Sequence, residues 1–323
     1  MTTRKARLRI PAWISLLTVL GLMIAAGASR QAGAQQGSGQ AVVTVLPKHD
    51  AEMAPSVSNQ DLAVKVNGKT AKVTEWSPLN GASNRMELVL LIDDSARSSL
   101  GTQLSEIEAF VKTLPPNTRT GIAYMENGRA AFTGPLSTDH DQVLKALHLP
   151  AGGAGVDSSP YFCLSDLAKN WPSTHSQARR EVIMVTDGLD RYQPHYDPED
   201  PYVQAAMNDA VRAHLVVYSI YWLGRGRIDS TEAANTAGQN LLVEVTQATG
   251  GKSFWQGFGN PVSLQPYFEE LTRRFRNQYE LGFESPLNGK PEVESFKLKL
   301  SAPGGEVTAP QQVFVTPAGT AHQ

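Results

Sequence analysis

Residues 86–99 read MELVLLIDDSARSS. From Met86 to Ile92 only Glu87 interrupts the apolar run, and the run stops at two carboxylates, Asp93 and Asp94. A strand with one wet face would alternate. A run without alternation fits a central strand buried on both faces, as in a parallel sheet. Leu100, Leu104, Ile107, Val111 and Leu114 then recur at helical spacing, and Pro115-Pro116 stops that helix. The pattern recurs at Glu181–Thr186, a second buried run, which ends in Asp187-Gly188.

Working outward, Thr120–Met125 and Ala130–Thr133 read as strands around the turn Asn127-Gly128. Val143, Leu144 and Leu147 mark a short helix. Residues 150–159 form a Gly-rich loop, and a helix follows with Pro160 at its first position. Val203, Ala206, Met207 and Ala210 make a helix, Leu215–Trp222 a strand, and Leu241, Leu242, Val245 and Ala248 a helix closed by Gly250-Gly251. A short strand at Ser253–Trp255 and a helix carrying Leu271 and Phe275 complete the set. Buried strands alternating with amphipathic helices predict an α/β domain over residues 84–277, a doubly wound, mostly parallel sheet.

Both flanks follow a β pattern. Leu62, Val64 and Val66 alternate up to Asn67-Gly68, a hairpin turn, and Ala71 and Val73 resume the alternation. Tyr279, Leu281 and Phe283 alternate in the tail, as do Phe296, Leu298 and Leu300, and Val313–Val315 is a last strand. Each set is too small to bury its own apolar face. The strands of residues 278–323 are therefore expected to pack with the hairpin of residues 35–83 as a small β subdomain. Residues 35–40, QQGSGQ, read as a flexible lead-in.

Arg4, Lys5, Arg7 and Arg9 precede an apolar run from Ile10 to about Ala26, and Ala32-Gly33-Ala34 is a small-x-small pattern. This order reads as a secretory signal peptide cleaved after Ala34, which places the chain outside the cytoplasm, secreted or periplasmic. A membrane association is expected only if that segment is retained as an anchor. Without residues 1–34 the formal net charge falls from −2 to −7, which argues against nucleic acid as a partner. The single cysteine, Cys163, excludes a disulfide scaffold and an iron–sulfur cluster, and it reads as a buried thiol. No His pair has zinc spacing, and no Gly-x-Ser-x-Gly elbow is present.

Ligands of open α/β sheets bind outside the carboxyl ends of the strands. Three polar clusters fall at such ends: Asp93-Asp94-Ser95-Ala96-Arg97, the loop Gly152–Ser159 with Ser158 and Ser159, and Thr186-Asp187-Gly188-Leu189-Asp190. Carboxylates and hydroxyls from three loops make an all-oxygen set suited to a hard cation such as Mg²⁺. The strand with Asp93-x-Ser95, the helix after it and the later Thr186-Asp187-Gly188 resemble a von Willebrand factor type A (VWA) domain. The stretch Arg276–Phe283 (RNQYELGF) and the flanking strands resemble the exported VWA-related proteins common in acidobacteria.

The resemblance implies a metal-ion-dependent adhesion site, with Asp93 and Ser95 in its first motif, Ser158 or Ser159 as the loop hydroxyl and Asp187 as the last carboxylate. The third position of the first motif is Arg97 where the family has serine. Two alternatives follow. Turned inward, Arg97 pairs with Asp93 and Asp187 in the cation's place; turned outward, it leaves Ser95, the carboxylates and waters to hold Mg²⁺ or another divalent cation weakly. Arg97, Asp94 and Asp190 are the expected partner-facing residues, and an acidic side chain of a protein is the expected ligand. The run from Asp190 to Asp200 reads as a solvated loop leading into a helix cap, and Tyr192, Tyr196 and Tyr202 in or beside it as a contact surface. The expected function is non-enzymatic protein binding or adhesion through a partly degenerate metal site. The alternatives are a cell-envelope assembly module that binds through its β subdomain and, as a minor one, a metal-dependent hydrolase.

Overall fold

The computed structural model describes residues 35–49, 54–80, 85–150, 159–175, 178–192, 195–197, 199–225, 231–255, 257–287 and 290–318. Residues 1–34, read above as an export signal, lie outside the described residues, as does Ser158. Along the chain the strands are β1 (Gln35–Pro47), β2 (Leu62–Val66), β3 (Lys69–Pro78), β4 (Met86–Asp93), β5 (Arg119–Glu126), β6 (Arg129–Phe132), β7 (Arg179–Thr186), β8 (Leu215–Tyr221), β9 (Ser253–Phe254), β10 (Gln278–Leu287), β11 (Glu292–Leu300), β12 (Gly305–Thr308) and β13 (Gln312–Pro317). The helices are α1 (Leu104–Thr113), α2 (His140–Leu144), α3 (Pro160–Lys169), α4 (Pro201–Arg212), α5 (Glu232–Thr249) and α6 (Gln265–Arg276).

The α/β part is a sheet of order β6-β5-β4-β7-β8-β9. Its pairings are parallel except at the edge, where β6 returns antiparallel to β5 across Asn127-Gly128. Every residue of β4 is buried. Leu88, Leu90 and Ile92 pack with Ile107 and Phe110 of α1 and with Phe268 and Leu271 of α6. Val89 and Leu91 face the other way, onto Leu164 of α3, Met207 of α4 and Val245 of α5. Helices on both faces are the physical reason for the unbroken apolar run. Each such side chain contributes about 2 kcal/mol of burial only if both layers are present. Cys163 of α3 is buried in the second of these layers, and its thiol is pushed up by that burial.

The remaining strands form a second, antiparallel sheet of order β10-β3-β2-β11-β13-β1, and β1 pairs back onto β10, so the pairing closes on itself. β12 extends the line of β13 along the far part of β1, from Thr44 opposite Thr308 to Pro47 opposite Gly305. Val43, Val64, Leu281, Phe283, Phe296 and Val315 fill the interior. As expected, the N-terminal hairpin and the C-terminal strands cover each other: β3 pairs with β10 and β2 with β11. The hairpin turn places Asn67 at φ 47° and Gly68 at φ 74°, the left-handed pair that a two-residue connection requires.

The lead-in reading of residues 35–40 is overturned. They are the first half of β1 and pair with Leu287 back to Gly282. Their glycines supply room, not flexibility. A Cβ on Gly39 would lie 2.5 Å from the Phe283 ring, and one on Gly37 would lie 2.6 Å from a Val315 methyl.

The two sheets join at the amino ends of the parallel strands. There Arg179, the first residue of β7, donates to the Leu79 and Phe275 carbonyls, and Gln278 donates to the Tyr218 hydroxyl at 3.0 Å. The Gln311 amide reaches the Gln247 carbonyl at 2.9 Å near the end of α5. The carboxyl ends of the sheet point away from this joint. No helix of the described residues is long and apolar enough to cross a membrane.

Candidate functional site

β4 delivers Asp93 to the carboxyl end of the sheet, where the chain must leave it. The side chain manages that exit: Asp93 Oδ1 accepts the Ser95 amide at 2.8 Å and the Ser95 hydroxyl at 2.6 Å, a local Asx arrangement that turns the backbone. Its other oxygen, Oδ2, accepts the Thr186 hydroxyl at 2.7 Å from the end of the neighbouring β7. Asp187 follows directly. Its Oδ1 accepts the Leu189 amide at 2.9 Å and its Oδ2 the Gly224 amide at 3.1 Å from the loop after β8. Asp93 and Asp187 are each 3% exposed. In these contacts each accepts hydrogen bonds from uncharged donors only, so two carboxylates are brought to one buried centre.

The guanidinium that answers them belongs to Arg191. Its Nη2 lies 2.7 Å from Asp187 Oδ2 and its Nη1 lies 3.8 Å from Asp93 Oδ2. The return of the chain depends on Gly188, which sits at φ 68°, with the position of a Cβ only 2.5 Å from the Gly238 carbonyl oxygen of α5. That turn, pressed onto α5, brings residue 191 back over the residue four positions earlier.

Arg97 has a different place from the inward one considered above. Its Nε donates to the Gly224 carbonyl at 2.9 Å, and its amide donates to Leu223. Arg225 answers from the other side, with its amide on the Ser95 carbonyl, Nε on the Ala96 carbonyl and Nη2 on the Pro150 carbonyl. The two arginines staple the loop after β4 to the loop after β8, with Ala96 and Gly224 paired as an antiparallel bridge. Asn260 extends the staple, accepting the Leu223 amide and donating to the Ser99 hydroxyl.

Of the other expected residues, Ser158 lies outside the described residues. Ser159 is the N-cap of α3, where its hydroxyl accepts the Tyr161 amide at 3.3 Å. Asp94 and Asp190, expected to face a partner, are 2% and 1% exposed. Asp190 Oδ1 accepts the Tyr192 amide, so this carboxylate shapes the loop. Tyr161 ties α3 to the site by donating its hydroxyl to the Gly188 carbonyl at 2.6 Å. Burial first, and then Asp190, Asp187 and Asp200, push its phenol well above the usual range, so it stays a donor. Asp200 caps α4 through the Tyr202 and Val203 amides, as the cap reading expects. Sequence reasoning missed Arg191 and Arg225. The signal for Arg191 is its i+4 spacing from Asp187 across a glycine.

A divalent ion of the adhesion-site type needs open oxygens converging on one point. Here Asp187 Oδ2 and Asp93 Oδ2 face a guanidinium, the Ser95 hydroxyl is turned onto Asp93, and the third motif position carries Arg97. Among the described residues no three His, Cys, Asp or Glu side chains gather around a metal position. The residues as arranged do not fit the ion.

Exposed hydrophobic side chains lie on connections that leave the carboxyl ends of the strands. Among the described residues the exposed large hydrophobics are Leu149, Tyr192, Tyr196, Tyr202, Phe258 and Val262. Leu149 packs against Gly101 in the loop after β4, and the other five sit in or directly after the segments that follow β7 and β9. Tyr192, Tyr202 and Phe162 form a cluster, with Tyr202 edge-on to Phe162 at 4.9 Å and to Tyr192 at 5.6 Å.

No protein-family model matches the chain, and no curated protein does. Solved structures do match it at low identity. An aerotolerance-related membrane protein from Bacteroides fragilis NCTC 9343 is 12% identical with a TM-score of 0.42, over 59% of this chain and 98% of that one. The conserved hypothetical protein BatB from Bacteroides thetaiotaomicron is 16% identical with a TM-score of 0.42, over 58% and 98%. The SpRpn10 VWA domain is 13% identical with a TM-score of 0.39, over 58% and 95%. These likenesses are to proteins of low identity; in this chain residues 86–276 form a six-stranded, mostly parallel sheet with an antiparallel edge, helices on both faces and Asp93-x-Ser95 at the end of a central strand, and an antiparallel β subdomain is joined to it.

Proposed function

We infer that this chain is an exported, non-catalytic protein-binding module that grips a partner through the loops at the carboxyl end of its VWA-like sheet, without a divalent ion. One observation carries the reading: five of the six exposed large hydrophobics of the described residues lie on or directly after the connections that follow β7 and β9, and one of them, Tyr192, directly follows Arg191. Tyr and Phe set around a desolvated centre are the composition of a binding surface. The export half of the reading rests on the basic start, apolar run and Ala32-Gly33-Ala34 of the first 34 residues, and it places the protein in the periplasm or outside the cell. The alternative surface, the β subdomain, is less favoured. Its strand pairing closes on itself and it carries none of those exposed side chains.

The test is cross-linking in the native envelope with the full chain, followed by binding of the identified partner to purified protein. The triple change Tyr192→Ala, Tyr202→Ala and Phe258→Ala is expected to weaken binding at least tenfold, and EDTA to leave it unchanged. Binding that survives the triple change, or that a chelator abolishes, rejects the proposal.

A further inference from the structure

We propose that Arg191 is a built-in cation that permanently takes the place a divalent ion would hold, and that removing it turns this chain into a metal-binding protein. The inference does not depend on which partner the carboxyl-end loops bind. Asp93 and Asp187 are buried carboxylates, and each accepts backbone or hydroxyl hydrogen bonds. Two such charges need a compensating cation. Arg191 supplies it at 2.7 Å from Asp187 and 3.8 Å from Asp93, on a side chain that is 18% exposed.

A guanidinium suits this role for three reasons. It stays charged at any pH the protein meets. Its planar fork can address two carboxylates at once. It is also tethered: the linker is three residues of the same chain, bent back by Gly188, so its effective concentration far exceeds that of a free ion. A divalent ion must therefore displace Arg191 before it can bind. The oxygens left behind would be those of Asp93, Ser95, Thr186 and Asp187, all but buried at the carboxyl ends of two adjacent strands. This assignment also gives Arg191 a positioning role, because the next residue, Tyr192, begins the aromatic cluster.

The experiment titrates Mg²⁺ and, separately, Mn²⁺ into the full chain by calorimetry, and follows thermal unfolding with each ion and with EDTA. The wild type is expected to show neither binding heat nor a shifted midpoint. Arg191→Ala is expected to melt earlier and to regain stability with either ion. At an ion concentration about 100 times its Kd the folded-to-unfolded ratio rises about 100-fold. Adding Asp187→Asn to Arg191→Ala removes one charge of each sign, and this double variant is expected to recover stability without ion and to lose the ion response. It also keeps the test open if the single variant does not fold. The proposal is overturned if the wild type binds Mn²⁺ in a way that Asp187→Asn abolishes. It is equally overturned if Arg191→Ala melts like the wild type, if neither ion restores it, or if the double variant stays as unstable as the single one.

Discussion

The two ends of strand β7 each pair an arginine with a carboxylate, and they do so for different purposes. At its amino end, Arg179 and Glu181 are 3.1 Å apart with side chains 5% and 0% exposed. Arg179 also donates to the Leu79 and Phe275 carbonyls and to Met86 Sδ, so it pins the start of the sheet to the ends of β3 and α6. At the carboxyl end, Asp187 meets Arg191 within reach of solvent, among loops that carry exposed tyrosines. The amino-end pair sits at a joint between two sheets. The carboxyl-end pair closes a polar centre that a binding face can surround. Burial separates them. Desolvation raises the Glu181 carboxyl to about 7 against the pull of Arg179, and it lowers Arg179.

The sharpest way to break the comparison is Arg179→Ala. It removes the guanidinium that pulls the buried Glu181 carboxyl down, takes the Arg179 donors from the Leu79 and Phe275 carbonyls, and is expected to cost about 3 kcal/mol by denaturant unfolding. A loss no larger than that of a surface change would mean the joint is not held by this pair. Next comes pH. The folded pKa of Glu181 lies above its unfolded value of 4.5, so the stability it confers is complete below that value and is lost as pH rises through about 7. The stability difference between wild type and Glu181→Gln is therefore expected to fall by about 3 kcal/mol across that window and to level off above it, in unfolding midpoints measured from pH 4 upward.

Arg191→Ala without added ion is expected to cost less than Arg179→Ala, about 2 kcal/mol, because the Arg191 side chain is already 18% exposed and both carboxylates keep their backbone and hydroxyl donors. Equal losses at both ends would erase the distinction. The smallest effect is Ser95→Ala, which removes the 2.6 Å hydroxyl bond to Asp93 and leaves the amide bond in place. It is expected to cost about 1 kcal/mol in denaturant unfolding.

Much of this was legible beforehand because it is local. The unbroken apolar run of β4, the Asn-Gly turns at residues 67–68 and 127–128, Pro160 at a helix start and Gly250 at a helix end each carry their reason within a few residues. Asp93, Ser95 and Asp187 could be placed at one end of the sheet because they sit at or just after the ends of adjacent strands. The guanidinium's owner could not. Arg97 occupies the motif position, and only the contact of the Gly188 turn with α5 brings Arg191 over the carboxylates and leaves Arg97 to the Gly224 carbonyl.

β1 shows the same boundary from the side of the fold. Residues 35–40 have no apolar alternation, and their glycines read as flexibility until β10 and β13 stand beside them. Then the same glycines are the condition for close approach. Periodicity and turn chemistry act within one turn or one hairpin, and they were enough for most strands and helices of residues 86–276, for the Asn-Gly turns and for the carboxylates at the strand ends. The tertiary structure alone decided which charge meets which carboxylate and which polar segment becomes a strand. Those outcomes depend on desolvation and steric room supplied by residues far away in the chain.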